Sequence, residues 1–170
     1  MSSGATRAGG GPRLGRRSDQ RGVTIVEFAM VLPVLFILMM SVVDFGLCFF
    51  AEHTLQFATR EGVRIALVGR VLTDSNGNPL TREATIIETI QKQAAIAIPA
   101  DKVHISIYPV SSDLTDPTGW QTTQDAGSGG SYMRVRTSYD YAFLTPVLRA
   151  VFPGGKLTLQ AQSTYRNEQF

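Results

Sequence analysis

Arg21–Val43, RGVTIVEFAMVLPVLFILMMSVV, restricts what this chain can be more than any other stretch. From Val23 to Val43 the one charged residue is Glu27. An α-helix rises about 1.5 Å per residue, so this run reaches about 31 Å, close to the hydrocarbon thickness of a bilayer. Length and polarity together predict a membrane-spanning helix. A carboxylate inside such a span costs roughly 2.5–3.5 kcal/mol at mid-membrane. Glu27 therefore either lies near the cytoplasmic interface and reaches its headgroups, or has a positive partner.

The net charge of +2 is unevenly spread. Residues 1–22 carry five arginines (7, 13, 16, 17 and 21) against Asp19, while the rest of the chain carries 11 basic and 13 acidic residues. A basic flank of this kind stays in the cytoplasm, so the C-terminal part is expected to be translocated. The arginines abut a membrane span and no folded basic face follows, which argues against nucleic-acid binding. Cys48 is the one cysteine, so the exported part must be held by its core without an internal disulfide.

Residues 1–20, rich in Gly, Ser and Arg without apolar periodicity, read as a disordered cytoplasmic leader. A secretory signal peptide fits poorly. The apolar run is too long, and Asp44, Phe45 and Gly46 follow it in place of a small-x-small cleavage site. Val23 to about Val68 reads as one helix, which Pro33 kinks without ending. Beyond the span the pattern becomes amphipathic, with Leu55, Ala58, Gly62, Ile65 and Gly69 on one face and a Glu61–Arg64 pair at i, i+3. Asp74–Pro79 makes a turn.

A second helix is predicted over 82–98, capped by Thr81, with Ile86, Ile87, Ile90, Ala94, Ala97 and Ile98 as its apolar stripe. Val103–Tyr108 alternates as a strand with Val103, Ile105 and Ile107 buried and His104, Ser106 and Tyr108 facing solvent. Residues 109–130 form a long polar loop, with Trp120 either a local anchor or a contact residue. Ser131–Tyr141 is a strand with Met133, Val135, Thr137, Tyr139 and Tyr141 on one face. A short helix runs from Thr145 and Pro146 to about Phe152. The last strand, Lys156–Arg166, turns Leu157, Leu159, Ala161, Ser163 and Tyr165 inward. The fold class is α+β: a long N-terminal transmembrane helix extending outward, then a small domain with a helix on a three-stranded antiparallel sheet.

No enzymatic constellation stands out. His53 and His104 lie on different elements without metal-ligand spacing, and no phosphate-loop, dinucleotide or nucleophile-elbow motif is present. A membrane-tethered enzyme using Asp140 or Glu61 in an outer site finds no support in their spacing. The expectation is a non-enzymatic protein that needs no cofactor and no metal. Glu27 has a chemical role only if the chain is cut after Gly22. Val23 then carries a free α-amine one helical turn from Glu27, and ammonium and carboxylate can pair within one chain or between staggered neighbours.

Gly22 followed by Val-Thr-Ile-Val-Glu27-Phe28 and an apolar helix resembles the class III signal of type IV pilin-like proteins. The run VEFAMVLPVLFILMMSVVDFG, with Thr54-Leu55 and Ala58-Thr59-Arg60-Glu61-Gly62-Val63-Arg64-Ile65-Ala66, is similar to the N-terminal domain of TadE-like proteins. These are minor pseudopilins of the tight-adherence (Flp-type) pilus machinery. Val135–Tyr139, Thr145-Pro146 and Thr164–Glu168 resemble the family's C-terminal pattern. The major pilins of such systems carry Glu-Tyr where this chain has Glu27-Phe28, and their mature chains are far shorter.

The resemblance implies a leader (1–22) removed between Gly22 and Val23 by a prepilin peptidase, a TadE-like helix (23–69) and an exported domain (70–170). Glu27 and Phe28 would serve assembly. The implied partners are the peptidase, other pilins and pseudopilins, the inner-membrane assembly platform and the membrane itself. The implied location is the bacterial inner membrane, crossed once, with the N-terminus cytoplasmic and the C-terminus periplasmic or extracellular. The other reading is an uncleaved bitopic protein with an outer binding module over 52–170.

Overall fold

The computed structural model describes residues 19–168, with side chains from Gly22 onward; the leader residues 1–18 lie outside the described part. Helix α1 runs unbroken from Asp19 to Leu67, through Pro33. It therefore starts inside the segment that the sequence assigned to the leader, because nothing between Asp19 and Gly22 breaks a helix. The chain divides into two compact units between Leu38 and Met39. In the first unit the described side chains from Gly22 to Leu38 are exposed except half-buried Leu32.

The second unit holds the rest of α1 and an α+β domain. Helix α2 spans Arg82–Ala94, and the three strands are β1 (His104–Pro109), β2 (Tyr132–Ala142) and β3 (Lys156–Arg166). A short helix, α3 (Pro146–Val151), joins β2 to β3. The sheet is antiparallel throughout with β2 in the centre. Ile107 stands opposite Val135 in one pair, and Tyr139 opposite Leu159 in the other.

The side of α1 that packs into this domain carries Asp44, Cys48, Ala51, Leu55, Ala58, Thr59, Gly62, Val63 and Ala66, all buried. The spacing of three and four is what a helix face requires. Leu55, Ala58 and Gly62 were legible on this face. Ile65 is only half-buried, because Val63 and Ala66 take the inward positions. Thr59 Oγ1 lies 2.7 Å from Thr137 Oγ1 on the central strand, and both threonines are fully buried. The pair satisfies two hydroxyls that would otherwise be stranded in the core.

Gly62 packs directly against α2. A Cβ at this position would lie 2.5 Å from Ile90 Cγ1. Helix α2 starts as its sequence predicts, with Thr81 Oγ1 accepting from the Ala84 amide at 3.2 Å. It ends at Ala94, four residues before the expected Ile98, yet Ile98 still reaches the core through the following turn. The Asp74–Pro79 turn is as predicted: Asp74 Oδ1 accepts from the amides of Asn76 and Asn78, each at 2.8 Å. The Glu61–Arg64 pair forms, with Arg64 Nε 2.9 Å from Glu61 Oε2.

Strand β1 departs from its expected pattern. His104 faces solvent, but Ser106 and Tyr108 are as buried as Ile105 and Ile107. The cover comes from the loop after β1. Ser106 Oγ donates to Gln121 O at 2.6 Å, and the Tyr108 and Trp120 rings lie 5.3 Å apart. Residues 123–125 also pair with the outer edge of β1, as Ile107 N donates to Thr123 O and Asp125 N donates to Ile107 O. Periodicity within six residues cannot show that a distant loop folds back over the second face.

Gly62→Ala should lower stability by about 1 kcal/mol net, since overpacking costs about 1–3 kcal/mol and alanine returns up to about 1 kcal/mol of helix propensity. In urea unfolding, the double variant G62A/I90A should lose less than the sum of the two single changes, because Ile90 is the atom source of the clash.

Candidate functional site

Helix α1 carries two acids with opposite surroundings, Glu27 inside the apolar run and Asp44 immediately after it. Gly22, Val23, Glu27 and Phe28 lie on consecutive exposed turns, with Val23 57% and Phe28 62% exposed. Nothing lies within 4 Å of where a Gly22 side chain would stand. Glu27 has no hydrogen-bond or ion-pair partner among the described residues. The Gly22–Val23 bond sits within the helical backbone. The apolar side chains from Val23 to Val43 are almost all exposed, Ile25, Met30 and Val34 among the most open. In water such a surface would be unfavourable at about 25 cal/mol per Å² of apolar area.

Asp44 is the feature that the sequence did not disclose. It is 1% exposed. Its Oδ1 accepts from Tyr141 Oη at 2.9 Å, and its Oδ2 accepts from the amides of Leu144 and Thr145, each at 2.8 Å. Tyr141 Oη also lies 3.2 Å from the Asp44 carbonyl oxygen. The carboxylate thus holds the two amides that lead into α3, whose N-cap residue Thr145 makes no capping bond with its own side chain. Burial and the Asp44 contact push the Tyr141 phenol above its ordinary pKa, so Tyr141 stays a donor to the carboxylate. One signal could have found Asp44. The buried stripe, extended backward from Leu55 through Ala51 and Cys48 at the same spacing, arrives at residue 44.

A second charged group holds the loop over β1. Asp116 accepts from Tyr108 Oη at 2.9 Å and from Arg136 at 3.0 Å, and it pairs with Arg134. The Arg136 guanidinium lies 4.1 Å from the centre of the Trp120 ring. Trp120 is therefore a local anchor. Partial burial alone would raise the Asp116 carboxyl. The Tyr108 and Arg134 hydrogen bonds and the two arginine charges outweigh that and hold it below the usual carboxylate range. His53 and His104 are exposed, Asp140 accepts from the Thr158 hydroxyl, and Cys48 is a buried free thiol. Among the described residues no cluster of three or more His, Cys, Asp or Glu is placed to hold a metal.

One apolar helix of spanning length, continuing into an α+β domain, fits a single-pass membrane protein. Residues 22–64 match the family model described as TadE-like protein. The match begins at Gly22, includes both Glu27 and Asp44, and ends at Arg64, before the sheet. No curated protein and no solved structure matches the chain.

Asp44→Ala should destabilise the domain by about 3 kcal/mol or more, because hydrogen bonds to a charged group are worth about 1.5–3 kcal/mol and buried donors would lose their acceptor. Asp44→Asn should lose less. Thermal unfolding in detergent micelles, followed by near-ultraviolet circular dichroism, measures both.

A carboxyl held below its ordinary value stabilises the folded loop above about pH 4, and this contribution is lost as pH falls toward the depressed value. Trp120, the one tryptophan, should accordingly shift its emission to the red as pH falls below about 4. Asp116→Ala should show the shifted emission already at pH 5.

Proposed function

We propose that this chain is a minor pseudopilin of a tight-adherence (Flp-type) pilus or secretion system. It is cleaved after Gly22 by a prepilin peptidase and takes part in initiating or building the filament, in the service of adhesion, biofilm formation or secretion. The observation that carries the proposal is the placement of Glu27. It is the lone carboxylate of the exposed apolar run 23–43, and it stands one turn from the Gly22–Val23 bond within a segment that matches the TadE-like family model. Cleavage creates a Val23 ammonium. In an apolar bundle the Glu27 carboxylate of one chain and the Val23 ammonium of its neighbour each offset the other's burial, and their pairing fixes the axial register of the two helices. The peptidase and the neighbouring pilins are the partners this chemistry requires, together with the inner-membrane assembly platform.

The exposed apolar surface of α1 supports the same reading. A helix that is apolar all round suits lipid first and other apolar helices afterwards. The basic residues before Gly22 support a cytoplasmic N-terminus with the sheet domain outside, in the periplasm or beyond. A domain this much larger than the short mature chains of major pilins suits a component present at the start or tip of a filament.

The test is the intact mass and N-terminal sequence of the protein from membranes, with and without the prepilin peptidase. A chain beginning at Val23 only when the peptidase is present is the expected result. A full-length chain in both samples would make the protein a permanently anchored bitopic module. Glu27→Leu should leave membrane insertion intact and reduce piliation at least about tenfold, the effect of losing roughly 1.4 kcal/mol per docking step. Normal piliation in that variant would remove Glu27 from assembly.

A further inference from the structure

The turn between β2 and β3 presents an apolar surface that the domain core does not use. Leu144, Val147 and Val151 are 64%, 45% and 70% exposed. The opposite side of α3 is committed, since Leu148 and Phe152 pack against the core and the Phe152 ring stacks on buried Phe143 with centroids 4.5 Å apart. Helix α3 is thus amphipathic, with Val147 and Val151 one turn apart on its free side and Leu144 just before it. Its position is fixed by Asp44, whose carboxylate holds the Leu144 and Thr145 amides. Asp44 is the first residue after the apolar run, so these bonds hold Leu144 at the level where that run ends. At that level Val42, Val43 and Phe45 are exposed on α1, and the Phe45 ring meets the buried Phe143 ring, next to Leu144 in the chain, edge-on at 5.9 Å. Charge follows the same logic. Between Asp140 and Glu168 the chain has no acid, and the turn itself carries exposed Arg149 and Lys156.

We infer that Leu144, Val147 and Val151 rest in the interface of the bilayer that residues 23–43 cross, with Arg149 and Lys156 facing anionic lipid headgroups. An amphipathic turn of this kind enters the headgroup–acyl boundary through its apolar side chains and is reinforced by about 1 kcal/mol, or about fivefold, per nearby basic residue. The domain is then seated on the membrane at two points, the span and α3. The inference rests on the reading of residues 23–43 as the membrane-crossing segment. It is independent of cleavage and filament assembly.

The experiment uses the full chain in nanodiscs of phosphatidylglycerol and phosphatidylcholine, in a Cys48→Ala background. Single cysteines replace Val151, Phe36 or Asn76 in turn and carry an environment-sensitive fluorophore, and the discs contain shallow nitroxide-labelled lipid. Quenching at 36 and 151, absent at 76, is the expected result, with Lys156→Gln lowering the affinity of the 151 site for phosphatidylglycerol about fivefold. Quenching at 36 alone would overturn the seating of α3 while leaving the span intact, and would leave this face for a protein neighbour. Absence of quenching at both 36 and 151 would overturn the membrane reading together with the inference. A second reporter at Val147 guards against a local effect of labelling at 151, and it must be quenched alongside 151.

Discussion

The buried carboxylate of Asp44 is the interaction on which the second unit depends. It lies where an apolar surface suited to lipid gives way to a helix face suited to a protein core. A lone acid at such a boundary would be unfavourable to bury, and its three donors, one phenol and two amides, make burial acceptable. Those donors lie about a hundred residues further along the chain. The bond therefore closes the domain, joining the first element to the turn between the last two strands.

The rest of the unit follows from that closure. With the β2 end fixed at Asp44, the central strand runs alongside α1, and Thr137 meets Thr59 in the core. Gly62 then lets α2 approach closely enough for Ile90 to fill the space above it. The loop over β1 is tied by Asp116 to two arginines of the central strand, which gives β1 a second buried face and covers its outer edge. A domain without any disulfide is thus held by an apolar core and by two carboxylates whose partners come from distant segments.

Much of this was legible in the sequence. Three features were strongly periodic or strongly biased: the spanning run, the α2 stripe, and the alternation of Met133, Val135 and Thr137. The structure has each of them within a few residues of the expected place. What stayed hidden was long-range. Asp44 looked like the end of an apolar stretch, because a carboxylate's role depends on donors that local pattern does not reveal. Tyr108 looked solvent-facing for the same reason, and Trp120 could not be assigned until Arg136 and Tyr108 were seen beside it. Glu27 was the reverse case. Its significance came from its position beside Gly22 and from family resemblance, and the folded chain places no partner against it among the described residues.

The pair of ties along α1 has a consequence for how such chains can vary in length. Asp44 and Thr59 are about four helical turns apart, and each meets a fixed residue of β2 or of the turn after it. Inserting one residue between them would rotate one tie by about 100° relative to the other and displace it by about 1.5 Å. Thr59 would then face away from Thr137. This stretch of helix acts as a ruler whose graduations cannot be changed singly, whereas the turn at Asp74–Pro79, closed by its own hydrogen bonds, leaves room for residues to be gained or lost.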